Sequence, residues 1–294
     1  MKTLQEALAW ASEKKVAIGH FNVANIEALK AIFEAAQELS TEAGFKIPVI
    51  IGLSEGERKF VGEHAAVALI KHMRERYDYP IFLNADHTYD DEMAKEAVRA
   101  GYDSVIIDGA NLSYDENLEK TKRFVEFART QNPDCLVEAE VGYIGSGSNI
   151  KEALPEGAAI TEDTVTKVDE AVRFVNKTGV DLLAPAVGNI HGMLKGAKNP
   201  NLIISRIKEI AEATGKPLVL HGGSGISDED FSAAIEAGIR IVHISTELRR
   251  AYKEALDASL AASPSELAPY KIMAPVVDAM KAVVTARLKL FTNL

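Results

Sequence analysis

Short apolar runs rich in β-branched residues alternate along the chain with longer segments whose apolar positions recur every three or four residues. The runs are Val16–Val23, Ile47–Leu53, Pro80–Ala85, Asp103–Ile107, Leu136–Val141, Asp181–Val187, Pro217–Leu220 and Ile239–Ile244. Near-continuous apolarity over so few residues is what a strand covered on both faces requires. Between them, segments such as Ile26–Ala43, Asp91–Ala100, Leu118–Thr130 and Leu202–Ala213 carry the helical period. Strands alternating with helices imply a parallel sheet, and eight strands is the number that closes a (β/α)8 TIM barrel. A doubly wound open sheet would want a Gly-rich phosphate turn after its first strand, where His20-Phe21-Asn22 stands instead. The first fifteen residues predict an amphipathic N-terminal helix. Leu248–Leu260 reads as the last barrel helix and Leu267–Leu290 as a C-terminal helical extension. No linker or repeat interrupts the alternation, so residues 1–294 are expected to form a single domain.

Composition alters this picture in two places. The formal charge of −10 argues against nucleic acid or an anionic membrane as partners. An anionic small molecule would need a local positive site, made by a metal, backbone N–H groups or a few basic side chains. The one cysteine, Cys135, rules out an internal disulfide framework and suits a reducing, cytoplasmic setting. The amino terminus lacks the pattern of a signal peptide, and no apolar run is long enough to span a bilayer.

In such a barrel the chemistry sits at the C-terminal ends of the strands and in the loops that follow. Those positions hold His20 and Asn22, Ser54, then Asn84, Asp86 and His87, then Asp108, Glu138 and Glu140. They continue with Asn189, His191 and Gly192, then His221-Gly222-Gly223-Ser224-Gly225, then His243, Ser245 and Thr246. Of the 7 histidines, only His64 and His72 fall in helical stretches, where a solvated surface role explains them. His87, His191 and His221 follow three different strands yet converge on one mouth, as ligands of a zinc ion with open coordination positions would. Asp86 is a candidate general acid or base, or else a partner that orients a histidine. Glu138 and Glu140 share one strand face, where burial demands a cation or hydrogen-bond donors; with Asp108 they offer a second metal position. The glycines after His221 free backbone N–H groups for an anion, and the loops after strands seven and eight are a common phosphate site, adding Ser245 and Thr246. No strand end supplies a lysine for Schiff-base chemistry.

With these residues in view, the chain resembles the class II, metal-dependent ketose-bisphosphate aldolases over nearly its whole length. The resemblance rests on Asn84-Ala85-Asp86-His87, Ser104-Val105-Ile106-Ile107-Asp108-Gly109, Val137-Glu138-Ala139-Glu140-Val141-Gly142, Gly188-Asn189-Ile190-His191-Gly192, Leu220-His221-Gly222-Gly223-Ser224-Gly225 and Ile244-Ser245-Thr246-Glu247. It implies zinc on His87, His191 and His221, with Asp108 and Glu140 at a second divalent position. It implies Asp86 as proton donor to the aldehyde oxygen. It gives the phosphate of dihydroxyacetone phosphate to Gly192, Gly222, Gly223, Ser224 and Thr246, helped by Na+ or K+, and places Ser54 near the aldehyde side.

Two positions depart from the family. His243 stands where the family has asparagine against the substrate, so an imidazole that titrates near neutrality is expected beside the phosphate, able to move a proton. The loop Gly145–Lys151 lacks the family's carboxylate, and its proton-transfer role is expected to pass to Glu152 or Glu156. The implied activity is reversible cleavage of fructose 1,6-bisphosphate to dihydroxyacetone phosphate and glyceraldehyde 3-phosphate, by a homodimer or homotetramer. Tagatose 1,6-bisphosphate as substrate, 4-epimerisation by the same chemistry, and non-catalytic sugar-phosphate binding stand as alternatives.

Overall fold

The computed structural model describes residues 1–294. Eight parallel strands close a barrel: β1 Ile18–Asn22, β2 Val49–Leu53, β3 Ile81–Thr88, β4 Ser104–Ile107, β5 Leu136–Val141, β6 Leu182–Pro185, β7 Leu218–Leu220 and β8 Ile239–Ile244. Each pairs with its sequence neighbours, and β8 closes on β1 with His20 opposite His243. Around them run α1 Leu4–Lys14, α2 Ile26–Ala43, α3 Glu55–Val61, α4 Glu63–Tyr77, α5 Asp91–Ala100 and α6 Tyr114–Gln131. The series continues with α7 Val168–Thr178, α8 Ile204–Thr214, α9 Asp228–Ala237, α10 Thr246–Ala262 and α11 Pro269–Thr292.

The two-residue period of a strand sorts the barrel interior into layers. Ile18, Ile50, Phe82, Leu136, Leu182, Val219 and Ile241 form an apolar floor at the N-terminal end. Helix α1 plugs that end: Thr3 caps its first turn, and Leu4, Ala7, Leu8 and Ala11 pack onto the floor. Two residues further along each strand the same inward direction carries His20, Gly52, Asn84, Glu138, His221 and His243. Hydrophobic burial thus fills one end of the barrel while the other is left to polar groups. The opposite strand faces pack under the helices in one large core of 60 buried residues.

The two last helices exchange the expected parts. Helix α10 buries only Thr246 and Leu248, whereas α11 buries Val276, Val277, Met280, Val284, Leu288 and Phe291. With that apolar stripe α11 packs against α2, α9 and β1, taking the eighth helical position, and α10 lies outside it. The loops after β5 and β6 also pair outside the barrel, Ile150–Lys151 against Met193–Leu194, in a ladder the hydrophobic pattern is too short to predict.

Candidate active site and metal centre

The polar end of the barrel holds a connected cluster of imidazoles and carboxylates. On β3 the pairing register shifts between Ala85 and Thr88, and His87 adopts φ 32°. Adjacent strand residues would otherwise face opposite ways; this irregularity turns both Asp86 and His87 to the mouth. Nδ1 of His87 lies 2.8 Å from an Asp108 oxygen, and its Nε2 lies 2.9 Å from Nδ1 of His221. Nε2 of His221 meets Glu138 at 2.6 Å. His191 Nε2 is 3.8 Å from Glu140, whose Oε2 is buried without a hydrogen-bond partner. Potential ligand atoms of His87, Glu140, His191 and His221 all lie within 4.8 Å of one another. Each of His87 and His221 thus has one nitrogen held by a carboxylate while the other points at the shared centre, the arrangement that fixes a metal-binding imidazole.

Electrostatics favour a cation at this centre. Asp86, Asp108, Glu138 and Glu140 are all buried, and no lysine or arginine lines the pocket between the histidines. Burial pushes Glu138 and Glu140 well above the usual carboxylate range, with Asp86 and Asp108 adding to it. Burial also holds His191 down at about 3, and His221 well below its ordinary value, so both imidazoles are neutral and able to ligate. Burial lowers His87 too, but Asp86 and Asp108 outweigh it and raise the group to about 10. Positive charge is therefore strongly favoured at this point of the site.

Asp86 stands beside the cluster. Its Oδ2 accepts a hydrogen bond from Asn22 Nδ2 at 2.8 Å, and its Oδ1 lies 3.4 Å from His243 Nδ1. Burial would raise its carboxyl, but His87 and His243 outweigh that and hold it well below the usual range. His243 is sandwiched between His20, at 3.5 Å and nearly parallel, and His221, at 4.1 Å. Burial lowers His243 from the ordinary imidazole value, with Asp86 opposing the shift. Space for His20 exists because residue 52 is glycine: a Cβ there would lie 2.0 Å from the His20 ring.

Next to the histidines lies an anion cradle. Gly222 has φ 61°, and a Cβ on it would lie 2.1 Å from the carbonyl oxygen of Ile190. A Cβ on Gly223 would lie 2.6 Å from the His243 oxygen. Ser224 Oγ accepts from the backbone N–H groups of Ser245 and Glu247, which locks this turn to the start of α10. The first-turn N–H of Thr246 has no partner within its helix, and Ser245 Oγ is buried with no hydrogen bond. Asn199 holds the Gly192 and Ser224 carbonyls together from behind.

The whole sequence from residue 2 to 293 matches the family described as fructose-bisphosphate aldolase class-II. The chain belongs to that family. A Bacillus subtilis (strain 168) protein named "Probable fructose-bisphosphate aldolase" is 35% identical over 98% of this chain and 96% of its own. The fructose-bisphosphate aldolase of Geobacillus stearothermophilus is 35% identical over the same shares. Among solved structures, the YdjI aldolase of Escherichia coli K12 is 29% identical with a TM-score of 0.79, covering 98% of this chain and 96% of that one.

This class II aldolase gathers most of the residues expected from sequence into one pocket: Asn22, Asp86, His87, His191, Gly192, His221, Gly222, Gly223, Ser224, His243, Ser245 and Thr246. Glu140 joins the histidines in the cluster of ligand atoms without lining that pocket, and three others lie elsewhere. Asp108 sits behind His87, one oxygen 2.8 Å from Nδ1 of that ring and the other accepting from the Ala110 N–H. Ser54 does not line the pocket, because its hydroxyl and N–H both donate to Glu57 as the cap of α3. Glu152 is outside, exposed and paired with Lys195 at 2.7 Å. Sequence reasoning missed Ser148, which lines the pocket from the loop after β5, and Glu57. For Glu57 a signal existed: Ser54-x-x-Glu57 is a capping-box pattern placed directly after a strand end.

Proposed function

We propose that this aldolase reversibly cleaves a ketose 1-phosphate into dihydroxyacetone phosphate and an aldehyde, using a zinc ion held by His87, His191 and His221 with Glu140 in reach. The observation that carries this reading is the convergence of three imidazoles, those of His87 and His221 oriented by carboxylates, beside a glycine-built anion cradle. The donor set fits: borderline nitrogen ligands, a buried carboxylate oxygen lacking a partner, and surrounding carboxylates that favour a cation. Bound zinc would supply Lewis-acid polarisation of the substrate carbonyl.

The chain's own groups account for the rest. Backbone N–H groups of Gly222, Ser224 and Thr246, with the Ser245 hydroxyl, bind the C1 phosphate and fix its orientation, while the Gly223 N–H donates to the His243 carbonyl and holds the turn. In the cleavage direction the ionised Asp86 takes the proton from the C4 hydroxyl, and in synthesis it returns that proton to the aldehyde oxygen. Asn22 holds Asp86 through Oδ2, while Oδ1, buried without a hydrogen bond and 3.4 Å from His243 Nδ1, is the oxygen assigned to that proton. A second divalent ion at Asp108 and Glu140, and Na+ or K+ near the phosphate, belong to the same reading.

The test uses protein reconstituted with about one zinc per chain. It should exchange a dihydroxyacetone phosphate hydrogen with solvent and release free triose phosphate in a coupled assay. Metal-dependent hydrogen exchange without triose release would point to epimerisation instead, and no exchange at all would end the aldolase mechanism.

A further inference from the structure

We infer that buried Arg58 is a positioning residue, whose guanidinium clamps the bulge of β3 that aims Asp86 and His87 at the metal centre. This deepens the proposed function and rests on it. The strand pairing defines the bulge. Ala85 stands opposite Val105 and Thr88 opposite Ile107, so Asp86 and His87 together face the single residue Ile106 of β4. The extra residue disrupts the ladder at the point where the two functional side chains leave it. His87, at φ 32°, holds a conformation that an L residue keeps only where its surroundings impose it.

Arg58 supplies that constraint. It lies on α3, whose first turn is fixed by Glu57 on the Ser54 N–H, and it is 1% exposed. Its Nη2 donates to the Thr88 hydroxyl at 3.1 Å. Its Nη1 donates to the Leu53 carbonyl at 3.0 Å and reaches the Asp86 carbonyl at 3.5 Å. The contacts on β3 fall on either side of His87, and the guanidinium ties both to the last residue of β2. A planar fork with several donors can meet three acceptors on two strands, which a single ammonium does less well. Arg58 does not line the pocket, so it acts through Asp86 and His87 and not on substrate.

Stability alone does not account for an arginine here. Its ion-pair partner, Glu63 at the start of α4, lies 3.5 Å from Nε, and neither Nε nor that Glu63 oxygen makes a hydrogen bond. A well-packed apolar side chain is often as stable as a buried ion pair, even one with better geometry. Arg74 provides the contrast. It anchors the opposite end of β3, donating from Nε to the Ile81 carbonyl at 2.8 Å and from Nη2 to Asp103, far along the strand from the bulge. An arginine that only braces β3 would act as Arg74 does; one that sets the bulge acts on the metal centre.

The experiment compares Arg58→Met, Thr88→Val, Thr88→Ser and Arg74→Met with the parent. It reads zinc affinity by competitive chelator titration, the urea midpoint, and kcat and KM at saturating zinc for triose phosphate release from fructose 1,6-bisphosphate. Arg58→Met should lower zinc affinity about tenfold, as loss of a group that orients a ligand does. It should lower kcat about tenfold or more with KM nearly unchanged, because Asp86 is misplaced and not removed. Thr88→Val, which deletes only the hydroxyl that Arg58 holds, should move both readouts in the same direction, and Thr88→Ser should restore them. Arg74→Met should lower the urea midpoint while zinc affinity and kcat stay parental. A folded Arg58→Met with parental zinc affinity and kcat overturns the inference, and so does an equal loss of both in Arg74→Met. If Arg58→Met does not fold, the Thr88 pair decides, and parental values in Thr88→Val overturn it. A parent enzyme that binds no zinc removes the proposed function first; a zinc-binding parent matched by all its variants removes only this inference.

Discussion

Replacing Gly222 by alanine tests the cradle and the metal centre together. The residue sits at φ 61°, where an L side chain costs about 1–2 kcal/mol. The new Cβ would stand 2.1 Å from Ile190 O, 2.6 Å from Ile190 C and 3.1 Å from His191 N, where ordinary contact begins near 3.4 Å. These are backbone atoms, so relief requires the His221 turn and the His191 loop to part by roughly an ångström. Overpacking of this kind costs about 1–3 kcal/mol more. A misplacement of about 1 Å in a positioned site costs about a hundredfold in rate. We expect Gly222→Ala to lose about 2–5 kcal/mol of stability in urea unfolding, and about a hundredfold in kcat/KM measured as dihydroxyacetone phosphate release. Zinc content by elemental analysis should fall as His191 and His221 separate. Gly56→Ala is the matched control, because nothing lies within 4 Å of its Cβ and it sits within α3. It should gain about 0.5–1 kcal/mol. A Gly222→Ala enzyme with a parental urea midpoint and kcat/KM within twofold of parent would refute the reasoning.

Other expectations follow from the same geometry. His221→Ala should lower zinc affinity by at least tenfold in a competitive chelator titration, whereas His72→Ala, on the surface of α4, should leave it at the parental value. Asp86→Ala should reduce turnover about a hundredfold or more while the protein still binds zinc; loss of the metal instead would make Asp86 a support for the histidines. If the loop after β5 closes over substrate, Glu152→Gln or Glu156→Gln should slow solvent exchange of the dihydroxyacetone phosphate hydrogen, and parental rates in both would place the base elsewhere. Burial, with His243 against it, holds His20 at about 3. An unfolded histidine titrates near 6.5, so as pH falls below that the unfolded chain takes up a proton that the folded one does not. His20 therefore lowers stability by about 1.4 kcal/mol per pH unit between roughly 6.5 and 3. His20→Phe should remove about one proton from the acid slope of the urea midpoint, and an unchanged slope would show that His20 titrates normally.

How much was legible follows from what each feature depends on. Strand interiors need only local apolarity and the two-residue period, so all eight strands could be located from sequence, and with them the histidines at their ends. The parts of α10 and α11 depend on which of two amphipathic helices packs against α2, and nothing local decides that. The convergence of His87, His191 and His221 could be reasoned from barrel closure, but the separate places of Asp108 and Glu140 could not. Asp108 bonds the far nitrogen of His87 while Glu140 faces the shared centre, and this turns on the β3 register shift near His87. Glu57 was hidden by its double service. A capping glutamate is ordinary in a helix, and only the folded barrel brings Asn22 and Arg249 onto the same carboxylate.

The scarcity of cationic side chains in the central pocket follows from its carboxylates. Asp86, Asp108, Glu138 and Glu140 are buried within reach of one another and of the histidines. A lysine or arginine among them would be captured as an ion pair and would compete with any metal for Glu140, leaving little charge for an incoming phosphate. Backbone N–H groups avoid that outcome, because a fixed peptide dipole neither swings to a carboxylate nor repels a divalent ion as a full charge would. Glycine is then required at residues 222 and 223, where a Cβ would strike the neighbouring backbone. Away from the metal centre an arginine, Arg249, is admitted, and there Glu57 pairs with it. The glycine-built end therefore suits an anion held by peptide dipoles, with no side-chain cation beside it in the pocket lining.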